Sequence, residues 1–310
     1  MQQRKRPTPF RGTPALAAVP LALAVALPAH AQDLPVGATV VSTAVTGIAQ
    51  FDTNLDSGGK FRWSGGIASA SVLRQFAVNI AAGLTVQYEY QGYHFDSPTA
   101  FRGVAPWGNV QQPQIGATFI FAPSEDWTIM VSPSVAWAYE SGASTSDALE
   151  YGGVVAVTKD FSPTLTIGLG AAIFRQIYET QTFPFLAIDW QIDKNWKLSN
   201  PFAAGPTGPA GLELSYTFDD NWEAGFGGSY RSYAFRLNRD GPVPDGIGEQ
   251  RFIPLFVRLS RNLGKQAQVD LYATGLANGR LNVKNRNAED VVAEDYSFAP
   301  ALALTLRYRF

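Results

Sequence analysis

Residues 295–310 read DYSFAPALALTLRYRF. Tyr296, Phe298, Leu302, Leu304, Leu306, Tyr308 and Phe310 fall on one side of an extended chain, with Pro300 among them. Asp295, Ser297, Ala299, Ala301, Ala303, Thr305, Arg307 and Arg309 fall on the other. Successive side chains of a β-strand point to opposite faces, so this strand has an oily face and a small, polar one. A long strand that ends on Phe310, with aromatics near both ends of its oily face, predicts a wall strand of a membrane-spanning barrel.

The same two-residue period recurs along the chain. Phe76, Val78, Ile80, Leu84, Val86, Tyr88 and Tyr90 alternate with Ala77, Asn79, Ala81, Gly83, Thr85, Gln87 and Glu89. Trp127, Ile129, Val131, Val135, Trp137 and Tyr139 oppose Thr128, Met130, Ser132, Ser134, Ala136 and Ala138. Leu186–Ile192 and Leu212–Phe218 repeat the pattern. One such stretch is weak evidence; this many define a class. Short polar turns are expected near 74–75, 123–126, 159–162, 193–195, 219–221 and 261–264. They alternate with longer Gly-, Ser- and Pro-rich loops, for example 96–109, 141–149, 238–249 and 279–294. Six short turns with two terminal strands predict fourteen antiparallel strands, both chain ends lying on the short-turn, periplasmic side. The pattern fades between Trp196 and Ala210 and is weak in the first strand, near 38–51. Twelve strands therefore stays open as the alternative.

The start of the chain reads as an address. Arg4, Lys5, Arg6 and Arg11 precede an apolar run from Ala15 to Leu27, and Ala29-His30-Ala31 offers a small-x-small cleavage site. This predicts a cleaved signal peptide over 1–31 and a barrel domain over 32–310, with no N-terminal plug domain. Removing the leader takes four basic and no acidic residues from the totals, leaving 20 against 26 and a net charge of −6. That balance, with no basic cluster, excludes nucleic acid as a partner. No cysteine exists for disulfides or thiolate metal sites, and neither a metal nor a cofactor is implied.

Aromatics orient the barrel. Trp127, Trp196 and Trp222 sit beside short turns, whereas Tyr88, Tyr90, Tyr139, Tyr151 and Tyr178 crowd the long-loop ends, two girdles at headgroup level. With its strand–turn rhythm and its terminal Leu304-Thr-Leu-Arg-Tyr-Arg-Phe310, the chain resembles Gram-negative outer-membrane β-barrel proteins. The resemblance implies a bacterial outer-membrane location, contact with lipid, and recognition of Phe310 and Tyr308 by the barrel-assembly machinery. The stretch Tyr230–Leu237 (YRSYAFRL), followed by Gly241-Pro-Val-Pro-Asp-Gly246, is also similar to an uncharacterised barrel family of unknown function, which brings no activity with it.

Chemistry has few footholds here. His94, in Tyr93-His94-Phe95-Asp96-Ser97, is the one histidine after the leader, and no hydrolase motif surrounds it. It reads as an interfacial residue, and the chain is not expected to be an enzyme. Inward-facing charges are the better candidates: by parity Glu89, Glu140, Asp189, Glu213, Glu223 and Asp270, with Arg231 and Arg258 opposing them. A charge inside a barrel needs water or a counter-charge, so these groups either line a hydrated conduit or neutralise one another and prop the wall. Arg258 and Asp270 flank one short turn at similar depth and are placed to pair. The small inward residues and moderate loops predict a partly open, water-filled lumen. The leading expectation is a diffusion pore for small hydrophilic solutes with weak cation preference. The alternative is a non-conducting structural or surface-interaction barrel, its loops folded inward and Phe101, Trp107 and residues 279–294 displayed for binding.

Overall fold

The computed structural model describes residues 34–310, so the leader assigned to 1–31 lies outside the described residues. The alternating stretches form β1 (Thr39–Asn54), β2 (Lys60–Ala77), β3 (Ile80–Asp96), β4 (Asn109–Ser124), β5 (Trp127–Trp137), β6 (Tyr139–Glu140), β7 (Leu149–Ser162), β8 (Leu165–Arg175) and β9 (Thr180–Gln191). Then come β10 (Trp196–Ser199), β11 (Gly211–Thr217), β12 (Trp222–Ser229), β13 (Arg231–Arg236), β14 (Ile247–Leu263), β15 (Ala267–Lys284), β16 (Asp290–Tyr296) and β17 (Ala299–Arg309). Segments β5–β6, β12–β13 and β16–β17 each continue one another, so the seventeen segments make fourteen antiparallel wall strands. β17 pairs with β1 from Ser42↔Arg309 to Gln50↔Ala301, which closes the transmembrane up-and-down barrel. No helix among the described residues is long and apolar enough to cross a membrane.

The final strand shows why the chain folds this way. Leu302, Leu304 and Leu306 are 46%, 54% and 49% exposed, while Ala301, Ala303 and Thr305 between them are buried. Such a contiguous row of exposed leucines fits hydrocarbon, and β17 can face it because its own backbone is paired on both sides, by β1 and β15. Basic side chains lie on the rings of the short-turn girdle: Lys159 stands 5.4 Å from the Trp127 ring and Arg261 5.2 Å from that of Trp222. The turns at 193–196 and 219–222 share one device. The Asp193 carboxylate accepts the Asn195 and Trp196 N–H groups at 2.8 and 2.9 Å, and Asp219 does the same for Asn221 and Trp222 at 2.8 and 2.9 Å. Those two donors hold the Asp193 carboxyl below the ordinary carboxylate range.

Several boundaries differ from expectation. The first tight turn falls at Val78–Asn79 rather than 74–75, because Gln75 still faces inward and its amide donates to the Ala77 carbonyl at 2.8 Å. β7 runs through Ser162 and β14 through Leu263, so those turns also fall later. Residues 279–294 are not a loop: β15 reaches Lys284 and β16 begins at Asp290, so the segment is a paired hairpin with a turn at 285–289. Tyr296 is not on the oily face. Ser297 and Phe298 form a break between β16 and β17, and one extra residue reverses the alternation, turning Tyr296 inward and Asp295 outward.

Candidate functional site

The interior is filled rather than open, and three groups of polar side chains divide it. The first lies in the short-turn half. Asp189 on β9 and Lys197 on β10 pair at 2.8 Å. Glu213 on β11, Glu223 on β12, Arg258 on β14, Asp270 on β15 and Arg307 on β17 form one network. The Arg258 guanidinium donates to Glu213 at 2.6 Å, to Glu223 at 2.5 Å and to Asp270 at 3.4 Å, and also reaches the Ser260 hydroxyl. Arg307 donates to both Asp270 oxygens at 2.8 and 3.0 Å. The alternation places each of these groups inward from a different strand, and the register Ser260↔Asp270 puts Arg258 and Asp270 at neighbouring levels. Much of this network, with Ser199, Asn200 and Gln268, lines a cavity of about 360 Å³. Three acidic groups around two guanidiniums, plus one further ion pair, leave the cavity mildly acidic.

The second group sits deeper. Glu89 on β3 accepts from Arg231 at 3.3 Å, from the Tyr233 hydroxyl at 2.9 Å and from Gln91 at 2.8 Å. Arg231 also lies 4.9 Å from the Tyr233 ring centroid. The third is Glu140, apart from both. It accepts the Gly108 N–H at 2.7 Å and the Asn238 N–H at 2.9 Å, which ties two long loops to the rim. So Asp189, Glu213, Glu223 and Arg258 are brought to one cavity, with Asp270 buried behind it on Arg258 and Arg307, Glu89 and Arg231 to a second position, and Glu140 to the roof.

Between the first two groups runs a segment whose role alternation does not reveal. Residues 200–210 turn into the barrel, and Ala203, Ala204 and Thr207 are each about 1% exposed. The Thr46 hydroxyl donates to the Ala204 carbonyl at 3.1 Å, Arg231 to the Gly205 and Pro206 carbonyls at 3.2 and 3.3 Å, and Ser229 to that of Thr207. Arg307 stacks over the Phe202 ring at 4.7 Å. A Pro- and Gly-rich run has no strand ladder of its own, so its carbonyls take wall side chains as donors.

Above this plug, the long-loop half is an aromatic core. Phe61 and Trp63 from β2, Tyr93 and Phe95 from β3, Phe235, Phe252, Tyr272 and Tyr296 pack together with Ile48 and Leu276. Trp107 is 2% exposed, its ring edge-on to Tyr93, Phe95 and Phe235 at 5.7, 5.6 and 5.2 Å. The loop 97–108 therefore turns Trp107 inward, with Phe101 half-buried against it, so Trp107 is not displayed on the surface, although residues 102–105 of the same loop are exposed. Small residues dominate some inward rows, but these aromatics and the plug close the long-loop half, so the expected partly open, water-filled lumen is reduced to the charged cavity of the short-turn half. His94 lies on the outer face, exposed and across from Arg62 in register. Sequence reasoning also passes over Glu150, an inward carboxylate on β7 that is 2% exposed; its parity with Gly152 and Val154 is the available signal.

Residues 107–309 match the family described as a domain of unknown function, DUF6268. None of the curated proteins matches the chain. Among solved structures, an outer membrane channel from Pseudomonas putida F1 is 11% identical with a TM-score of 0.46, covering 89% of this chain and 97% of that one. The toluene transporter TodX of Pseudomonas putida is 9% identical with a TM-score of 0.43, covering 91% of each. The KdgM porin is 10% identical with a TM-score of 0.34, covering 86% of this chain and 99% of its own. These superpositions are loose, and what those proteins carry is not transferred to this chain.

Proposed function

The chain belongs to the DUF6268 family, whose description assigns no activity, and on that premise we propose that it is an outer-membrane channel for small hydrophilic solutes, held shut by residues 200–210. The observation that carries the reading is the plug itself. It caps a charged cavity of about 360 Å³, and its inner stretch, residues 202–207, is held by four hydrogen bonds from wall side chains and one cation–ring contact rather than by a strand ladder. The mildly acidic cavity favours cations and neutral solutes over anions. No reaction is assigned to it. The protein is exported through its cleaved leader, and Phe310 with Tyr308, whose rings lie 4.6 Å apart, serves as the signal for the assembly machinery.

The test is electrical. Replacing residues 202–209 by a short Gly-Ser turn is expected to convert a mostly silent protein into one with stable single-channel steps and weak cation preference in planar bilayers. Complete silence of the correctly folded deletion variant rejects the channel. The aromatic core of the long-loop half favours a second reading in that event, a non-conducting structural barrel.

A further inference from the structure

The ring of strands is complete only in the short-turn half. β10 stops at Ser199, paired with Asp189, so β9 from Thr180 to Ile188 has no strand on that side. One side chain stands in for it. The Asn200 amide accepts the Ile188 N–H at 3.0 Å and donates to the Leu186 and Gly211 carbonyls at 2.9 Å each. Pro184 lies on the same edge by alternation, and a proline leaves no N–H unpaired there. On the far side β13 keeps its ladder to β14 but turns inward, with no strand on its other edge until Arg236. All six of its residues are buried, and the Arg236 N–H donates to the Ala138 carbonyl across the interior at 3.0 Å. The result is a window in the wall. Asn200 forms its sill, and above it the Tyr178 hydroxyl bonds Glu249. Leu186, Ile173 and Leu255, all strongly exposed, flank it at hydrocarbon level. What spans it is one stacked aromatic pair, Phe183 and Tyr230, with centroids 6.3 Å apart.

Behind the window lies a second, independent peculiarity. Tyr151↔Arg175 sets Glu150 beside Gln176, and Phe174↔Gln181 sets Gln181 next along the same inner face. Glu150, Gln176 and Gln181 are 2%, 1% and 4% exposed. Yet Glu150 Oε1, both amide atoms of Gln176, and Gln181 Oε1 have no hydrogen-bond partner among the described residues. The remaining Glu150 oxygen receives Gln112 at 3.5 Å, the outer limit of a bond. Buried acceptors without donors are costly, a carboxylate most of all. Three such oxygens belong to side chains that share one stretch of the inner face with Phe174 and Phe183, an arrangement complementary to a donor-bearing cationic head on an apolar body.

We propose that this window is a lateral portal, through which a small amphipathic amine passes from the leaflet nearest the long loops and docks its ammonium on Glu150, Gln176 and Gln181. The portal does not depend on the axial path closed by residues 200–210.

Dansylcadaverine, a fluorophore carrying a free ammonium, serves as the probe, with the full-length mature chain in phosphatidylcholine nanodiscs. Saturable binding is expected, weakened at least tenfold by Glu150→Gln, with a dansyl carboxylate of equal length failing to bind. Equal affinity in wild type and E150Q, or equal binding of the carboxylate, overturns the site. For the portal, Phe183→Cys with Tyr230→Cys, in a chain with no cysteine of its own, is bridged by a reducible bis-methanethiosulfonate. Bridging is expected to slow probe association at least tenfold and reduction to restore it. A control bridge between Val155→Cys and Ala171→Cys, partners in the continuous wall, is expected to change nothing. Unchanged association in the bridged window variant overturns the portal. Conductance of the plug-deletion variant is read separately, so failure there and failure here are told apart.

Discussion

In the short-turn half of this barrel every wall strand hydrogen-bonds to both neighbours, and the interior is charged: Asp189, Lys197, Glu213, Glu223, Arg258 and Arg307 meet around one cavity, with Asp270 buried behind the two arginines. In the long-loop half β9 and β13 part, and the interior is packed with Phe61, Trp63, Tyr93, Trp107, Phe235 and Tyr296. The outer surfaces of the two halves are alike, because lipid demands apolar side chains wherever it touches the wall. The interiors differ because no solvent imposes a pattern on them. One half is held by ion pairs between strands already in register. The other lacks part of its ladder and is held by packed rings and by inward loops.

The largest effects are expected from removing the keystone of each half. Trp107→Ala should destabilise the barrel by about 3–5 kcal/mol, the range for emptying a buried indole site. Arg258→Ala should cost about as much, roughly 3–5 kcal/mol, since buried Glu213 loses its counter-charge, half-buried Glu223 loses it too, and buried Asp270 is left with Arg307 alone. Denaturant unfolding in detergent measures both. A loss below about 1 kcal/mol for Arg258→Ala would mean that water already screens the charges, as at an exposed pair, and would turn the short-turn half from a propped network into a hydrated conduit. Next in size is Leu304→Arg, which should cost about 2–4 kcal/mol if that side chain meets mid-bilayer lipid. A neutral result would deny that both halves share one lipid-facing surface.

Smaller is Asn200→Ala. It leaves one N–H and two carbonyls of the interrupted wall without their partner, for a loss of about 1–3 kcal/mol. Hydrogen exchange should then rise at Ile188 while the β7–β8 ladder stays protected; uniform protection would mean that the seam is closed by something other than this amide. The smallest effect belongs to the short-turn rim. The Asp193 carboxyl is held below its ordinary value, so its contribution is present above that value of about 3.8 and fades as pH falls through it. The melting difference between wild type and Asp193→Ala should vanish toward pH 2, and a difference that grew instead would reverse the sign.

Legibility in the sequence divides along the same line. The outer face is legible because alternation records lipid contact directly: Leu302, Leu304 and Leu306 announce the wall, and the six turns with their tryptophans point to fourteen strands. Parity also puts Glu213, Arg258 and Asp270 inward, though only the register shows that they meet. The long-loop half is opaque. Alternation assigns Tyr296 to lipid because the one extra residue at Ser297–Phe298, which reverses the parity, leaves no mark in the residue types. Composition assigns Trp107 to the surface because a loop residue carries no parity at all. The fading pattern at Trp196–Ala210 is visible, but composition alone does not tell a frayed strand from a segment that turns inward. Residues 200–210 do the latter, since Arg231, Ser229 and Thr46 supply the donors that their carbonyls would otherwise lack.

The most direct measurement is thiol accessibility at the plug. Ala204→Cys, at a position about 1% exposed in a chain with no cysteine, is placed in liposomes and challenged with a membrane-impermeant methanethiosulfonate. No labelling is expected at rest, while Thr164→Cys in an exposed turn labels at once, and Ala204→Cys is expected to label only under a voltage that also raises conductance. Prompt labelling of Ala204→Cys at rest, at the rate of the turn control, would contradict a closed plug.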